Sequence, residues 1–353
     1  MQHAIIHRYG PAAEVLKLEE MGAPELRRGQ VLIRQHATSV NPIDCRMRKG
    51  YGRVALSRMR GFELPLVLGR DVAGVVAAVA HDVRSLAVGD AVYGLPAAKA
   101  QGAFADLVVS TPADVVLKPQ SLSFTEAAAL PYVACTVWEA LVSKAGLNAE
   151  NARDKKVFVQ AGAGGIGSFA IQLLKAWGAH VATTCSKEQM ESVHALGADV
   201  VIDYQAEDYA SRLSNYDVAL ETVGGPLEEK TLGILRKDGR SRFATLIHPL
   251  LPNFDKYGLL AGAARNFHQL SKNRRRARKL GVGGYYWATF KSRPEALIAV
   301  RELADRGRIR PHIDRTFELK DLAAAHEYCE LGKANGKIII RICSGESAPG
   351  GSP

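Results

Sequence analysis

The chain has no closely spaced cysteine pair. Its five cysteines, Cys45, Cys135, Cys185, Cys329 and Cys343, are scattered along 353 residues. An odd, dispersed set argues against a disulfide framework and for reduced thiols in an intracellular compartment. Long apolar runs are also missing. The longest, Val72 to Ala80, is too short to cross a bilayer, so the chain reads as soluble. The first twenty residues lack an apolar signal core and carry Glu14, Glu19 and Glu20. That pattern fits neither a secretory leader nor an Arg-rich transit peptide. The expected compartment is the cytoplasm, or the mitochondrial matrix if a presequence has been removed. The ten histidines show no metal-ligand spacing.

Acidic residues are absent from one stretch. Between Arg265 and Lys279 stand seven Lys/Arg and no Asp or Glu, which accounts for most of the formal charge of +10. The core of this stretch, Lys272 to Lys279, has the charge to bind nucleic acid, a membrane surface of acidic lipid, or the phosphates of a CoA-type substrate. It lacks interleaved aromatics, however, and the favoured reading is a solvated helix face.

What is present is ordinary globular material in two styles. From residue 1 to about 123, short β-like runs (HAIIHRY, QVLIRQHATSV, DVAGVVAAV, GDAVYGL, FADLVVS) are broken by Gly, Pro and Asn. From 124 to 292, strands alternate with helical stretches: KVFVQA, a helix from Gly165, HVATTC, VVIDY, DVALET and SRFATLI. Such alternation predicts right-handed βαβ units, hence an α/β fold with a doubly wound parallel sheet. Residues 293–343 read as a return to the first domain, ending in the strand GKIIIRI. The tail 344–353 is small and polar, and is expected to be flexible.

The strongest motif is Gly162-Ala163-Gly164-Gly165-Ile166-Gly167, a G-x-G-x-x-G run that follows an apolar strand and opens a helix. Gly162 permits a tight turn, Gly164 removes a side chain where a pyrophosphate approaches, and Gly167 lets helix and strand pack closely. The pyrophosphate would sit over free N–H groups at the positive end of the helix. An NAD site usually ends its second strand with an acid that holds the ribose 2′-OH. Here Ser186 and Lys187 occupy that place, and a hydroxyl with an ammonium attracts a 2′-phosphate, so NADPH is favoured. Glu188 lies close enough to restore an acid. Tyr204 is either a second phosphate ligand or a tyrosine with its hydroxyl in water.

These residues, with Gly69-Arg70-Asp71-Val72-Ala73-Gly74, Gly89-Asp90 and the closing GKIIIRI, resemble the medium-chain dehydrogenase/reductase superfamily in its zinc-independent quinone oxidoreductase branch. The segments SVNPIDCRMRKGYG, LPYVACTVWEAL, LGADVVIDY and GRIRPHIDRTF resemble the reticulon-interacting mitochondrial members of that branch. The resemblance implies a Rossmann domain inserted into a mostly β, GroES-like domain made by both chain ends, with the cofactor in the cleft between them. Homodimers are common in such families. Asn41, Arg70 and Tyr132 stand where zinc-dependent relatives carry catalytic ligands, and none is a usual zinc ligand. No metal is therefore expected.

The same resemblance places Asn41, Asp44 and Tyr51 toward the substrate. It sets Thr136 against the nicotinamide, Val223 and Leu246 along the cofactor, and Tyr285 and Tyr286 near it. Without a cation to polarise a carbonyl, the natural hydride acceptors are already electrophilic: quinones and enones, or alternatively enoyl thioesters. Tyr51 and Asn41 are then the candidate donors to the developing oxyanion. Tyr51 has a structural reading as well as a functional one. Asn41-Pro42 suits a turn, and Arg70 with Asp44 or Asp71 suits a structural ion pair. An NADPH-binding interaction or regulatory protein with little catalysis is the competing functional class.

Overall fold

A computed structural model describes residues 1–59 and 61–342. The expected flexible tail, 344–353, lies outside the described residues. The chain divides into two compact units, Met1–Tyr132 with the chain from Pro294 onward, and Val133–Arg293.

In the first unit both chain ends build one sheet. Its strands run in the order Ile313–Glu318, Lys337–Arg341, Val31–Val40, Val72–Val79, Ala91–Gly94 and Val115–Leu117, with Leu107–Ser110 also paired to Val31–Val40. The last strand enters between its parallel neighbour and the antiparallel Val31–Val40. A smaller sheet joins Lys17–Glu20, Gln2–Ile6 and Leu66–Val67.

The boundary between the units differs from the expected one. Residues 124–132 belong to the first unit because helix Phe124–Ala127 packs on its sheet: Phe124 stacks on His36 with ring centroids 4.3 Å apart. The Tyr132 N–H then donates to Asp71 Oδ1 at 2.6 Å. Arg293 stays with the second unit through its Nε, 3.1 Å from the buried carboxylate of Glu139.

The second unit is a six-stranded parallel sheet. Its strands are β1 (Lys156–Val159), β2 (His180–Cys185), β3 (Val200–Asp203), β4 (Val218–Glu221), β5 (Arg242–Thr245) and β6 (Gly284–Trp287). They lie in the order β3-β2-β1-β4-β5-β6, the doubly wound dinucleotide-binding topology. One residue from each of five strands (Phe158, Ala182, Ala219, Phe243 and Tyr285) lines up in register to make a core row, closed by Tyr209 stacked on Phe158. Burying such rings sets the scale of the unit's stability, since truncating one to Ala typically costs about 3–5 kcal/mol.

Helix α1 (Gly165–Ala176) follows β1. It buries Phe169, Ala170, Ile171, Leu173 and Leu174 and leaves Gln172 and Lys175 less enclosed, the helical spacing read in the sequence. A 30-residue helix, α2 (Leu250–Lys279), was not anticipated, nor was β6 after it. Alpha2 is interrupted at Gly258 (φ 76°) and buries only Gly262, Asn266 and Ala277. The basic run thus forms the last turns of a mostly exposed helix, where Arg276 pairs with Glu229 at 2.6 Å. Among the described residues no helix is long and apolar enough to cross a membrane.

Candidate cofactor site

Strand β1 is apolar because both its faces are covered, and it delivers the glycine run to the carboxyl end of the sheet. The Gly162 N–H donates to Thr184 O at 2.8 Å, which ties the turn to β2. A Cβ on Gly162 would meet Thr183 Oγ1 at 2.4 Å, and one on Gly167 would meet Ala161 O at 2.2 Å. Both positions are closed by the protein itself. Gly164 differs, because its added Cβ would touch only Ala161 O at 3.6 Å. Nothing inside the fold demands glycine there.

Gly164 also caps α1. The Ser168 N–H donates to Gly164 O at 2.8 Å, so the amides of Gly165, Ile166 and Gly167 precede the helix's own ladder. The first turn carries no acid. Backbone donors, a positive helix end and a small-residue cradle together fit a pyrophosphate.

At the neighbouring strand ends the structure brings Ser186, Lys187 and Tyr204 together. Cys185 registers with Asp203, and the Tyr204 N–H donates to Cys185 O at 3.2 Å. Tyr204 is 58% exposed and Lys187 is exposed. Glu188 joins them, since a hydrogen bond from Ser186 holds its carboxyl below the ordinary range.

The ends of β4 and β5 are organised by Glu221, which sequence analysis passed over. This buried carboxylate accepts from Val223 N at 2.8 Å, from Gly224 N, and from Thr245 Oγ1 at 2.6 Å. Leu246 N donates to its backbone oxygen at 3.0 Å. Val223 and Leu246, expected along the cofactor, therefore sit on two loops pinned by one residue. An acid closing the apolar run DVALET was the signal available.

Thr136 is buried on helix Pro131–Val137, which continues as a π-helical segment, Trp138–Lys144, a form frequent at functional sites. Tyr286 is half-buried. Tyr285 takes a different place from the one expected. It is enclosed in the core, stacked on Phe243 at 5.1 Å, with its hydroxyl accepting from Asn273 of α2 at 2.9 Å. The cause is strand alternation, which sends consecutive side chains of β6 to opposite faces. Burial pushes the Tyr285 phenol above its usual range. Also unforeseen is His248, whose ring stacks on Trp287 at 5.3 Å and whose pKa burial lowers.

In the first unit Asn41 and Asp44 share one buried capping arrangement. Asn41 is the N-cap of helix Pro42–Arg48, not merely a turn, and is 2% exposed. Its amide donates to Asp71 Oδ2 at 2.8 Å and its carbonyl accepts from Lys337 Nζ at 2.5 Å. Asp44 is fully buried and accepts from the N–H groups of Asn41 at 2.9 Å and Gly69 at 3.3 Å. Burial, opposed by the Asn41 bond, pushes its pKa up to about 6. Asp71 also accepts from Ser39 Oγ and lies 3.6 Å from the Lys337 ammonium. Lys337 thus supplies a cation to Asp71, and the Arg70 guanidinium, which acts electrostatically on Asp44, covers the Phe62 ring at 5.3 Å. Tyr51 is half-buried, with the Arg46 guanidinium 6.0 Å from its ring centre. Among the described residues no three His, Cys, Asp or Glu side chains converge as a metal group would require.

Comparison with known proteins finds relatives along nearly the whole chain. Residues 27–120 match the alcohol dehydrogenase GroES-like domain, and residues 196–340 match a family described as zinc-binding dehydrogenase. The mouse protein named NAD(P)H oxidoreductase RTN4IP1, mitochondrial, is 38% identical over 96% of this chain and 88% of its own. A tomato 2-methylene-furan-3-one reductase is 33% identical over 94% of this chain and 76% of its own. The quinone oxidoreductase structure from Coxiella burnetii superposes with a TM-score of 0.80 at 29% identity, covering 97% of this chain and 99% of that one.

Proposed function

Since the chain belongs to the medium-chain dehydrogenase/reductase superfamily, in the branch of the mitochondrial NAD(P)H oxidoreductases related to RTN4IP1, we propose that it reduces quinones or other conjugated carbonyls with NADPH and without a metal. The observation that carries this reading is Gly164, a helix-capping glycine that no protein neighbour explains. The glycine run and the first amides of α1 would hold the pyrophosphate. When bound, a reduced nicotinamide supplies the hydride.

NADPH rather than NADH is supported by Ser186, Lys187 and Tyr204, which offer a 2′-phosphate two hydroxyls and an ammonium. Glu188 opposes it, because a phosphate that takes up the Ser186 hydroxyl must displace that carboxylate. Thr136, Val223, Leu246 and Tyr286 remain the proposed lining toward the cofactor.

Metal-free chemistry is supported by the donor set. A buried ammonium already contacts the Asn41 carbonyl, and a second cation beside it would be repelled. With the Asn41 amide engaged by Asp71, Tyr51 is the proposed donor to the acceptor oxygen, and Asn41 and Asp44 hold the helix that leads to it. The activities named for the tomato and Coxiella proteins support a conjugated carbonyl acceptor. The mitochondrial names of the relatives favour the matrix over the cytoplasm.

The test is oxidation of NADPH and NADH by the full chain across quinones, enones and enoyl-CoA esters, beside elemental analysis. Turnover of quinones or enones at substoichiometric zinc is the expected result. Tight NADPH binding without turnover of any acceptor would replace it with a regulatory role, and stoichiometric zinc would remove the metal-free reading.

A further inference from the structure

Two thiols from opposite ends of the chain meet in the first unit, and nothing described so far uses them. Cys45 lies in helix Pro42–Arg48 and Cys329 in helix Leu322–Glu330. These helices pack together around a shared apolar cluster that contains Cys45 and has Cys329 against its rim. The Cys45 thiol donates to the carbonyl of His326 at 3.6 Å, one helical turn before Cys329, and Cys329 packs against the cluster that holds Cys45. Both are free.

The members of the pair are not equivalent. Cys45 is buried at 4% exposure, whereas Cys329 is partly open to solvent. Interaction with Cys45 pulls the Cys329 thiol below its ordinary range, while interaction with Cys329 and burial push Cys45 up. An acidic, reachable thiol beside a sheltered one is the arrangement in which the first is attacked by an oxidant and the second resolves the product.

We propose that Cys45 and Cys329 form an oxidisable dithiol that closes to a disulfide on reaction with a hydroperoxide. The Cys329 thiolate attacks the terminal peroxide oxygen, so an S–O bond forms and the O–O bond breaks. The departing alkoxide takes up the thiol's proton and leaves as an alcohol, or as water when the oxidant is hydrogen peroxide. The Cys45 sulfur then attacks the sulfenic sulfur, and the displaced hydroxide leaves as water with the Cys45 proton. Two thiols lose two electrons to one peroxide, and a dithiol reductant reverses the change. The bond would tie the helix capped by Asn41 and Asp44 to the C-terminal helix.

The test treats the reduced full chain with hydrogen peroxide, blocks remaining thiols, and maps the peptides by mass spectrometry. A Cys45–Cys329 cross-linked peptide that dithiothreitol removes is expected. Cys45→Ser should stop the reaction at a Cys329 sulfenic acid that dimedone traps. The same variant should slow alkylation of Cys329 near neutral pH several-fold, a readout that works even where the cross-link is absent. Cys329→Ser should leave Cys45 unmodified. The proposal is overturned if the wild type carries Cys329 to sulfinic acid with Cys45 still reduced, if neither thiol reacts, or if Cys45→Ser leaves the alkylation rate of Cys329 unchanged.

Discussion

Lys337, at the start of the last strand, places its ammonium 2.5 Å from the amide oxygen of Asn41, which caps a helix near the other end of the sequence. The same ammonium is 3.6 Å from Asp71, and both charged side chains are almost wholly buried. Removing one partner of a buried pair leaves an uncompensated charge, at about 3–5 kcal/mol. Lys337→Met should therefore unfold at markedly lower urea than the wild type. Adding Asp71→Asn to it should recover most of the loss. Equal urea midpoints for Lys337→Met and wild type would show that the ammonium does not compensate Asp71.

His326 sets a pH prediction. Its two ring nitrogens are buried without hydrogen-bond partners, and burial, helped by Arg48, lowers its pKa to about 3. The folded state binds this proton more weakly than the unfolded chain does. Its stabilising contribution is therefore complete above the unfolded value near 6.5 and is lost as pH falls from there toward about 3. At pH 4.5, about two units into that window, the loss is roughly 3 kcal/mol. His326→Phe removes the group, so the variant should gain on wild type by that order between pH 7 and pH 4.5 in urea titrations. Asp44 titrates with the opposite sign, gaining stability as pH falls through about 6, but it is common to both proteins and cancels. A difference that stays constant with pH would rule out a neutral, desolvated His326.

How far the sequence foretold this structure depends on how local each feature is. The βαβ alternation and the glycine run were legible because each is written within some thirty contiguous residues, and the strand His180–Cys185 matches its expected bounds. Helix α2 was not legible. Its polar face is nearly continuous, its buried positions are three, and Gly258 interrupts it. Missing that helix hid β6, and without β6 no face could be assigned to Tyr285. The network around Asp71 was out of reach for a different reason. It joins Ser39, Asn41, Tyr132 and Lys337, which are distant in sequence, and Lys337 reaches it through the pairing of the last strand with Val31–Val40.

Cofactor preference should follow the three residues after β2. Lys187→Ala removes an exposed ammonium and should weaken NADPH binding by about tenfold while leaving NADH nearly unchanged, a difference of about 1.4 kcal/mol. Glu188→Gln, which keeps the shape and deletes the repelling charge, should strengthen NADPH binding instead. Ser186→Asp combined with Lys187→Ala should turn preference toward NADH. Calorimetric titration with both nucleotides measures all three. Preference unmoved by every variant would place the 2′-phosphate elsewhere.

Gly164 and Gly167, three residues apart, give the sharpest separation of fold from function. A methyl on Gly167 would lie 2.2 Å from Ala161 O and 2.7 Å from Gly162 Cα, both backbone atoms with little room to yield. Gly167→Ala should therefore lower stability by about 1–3 kcal/mol, as overpacking does, and weaken binding as a consequence. A methyl on Gly164 meets only Ala161 O at an ordinary 3.6 Å, and its φ of −72° suits any residue. Gly164→Ala should stay within about 1 kcal/mol of wild type, the range for an exchanged helix cap. Its dinucleotide affinity should nonetheless fall by about tenfold or more, because the methyl occupies the approach to the helix amides. Thermal melts and nucleotide titrations on the two variants measure both effects. If Gly164→Ala binds NADPH and NADH as the wild type does, the pyrophosphate does not rest on α1.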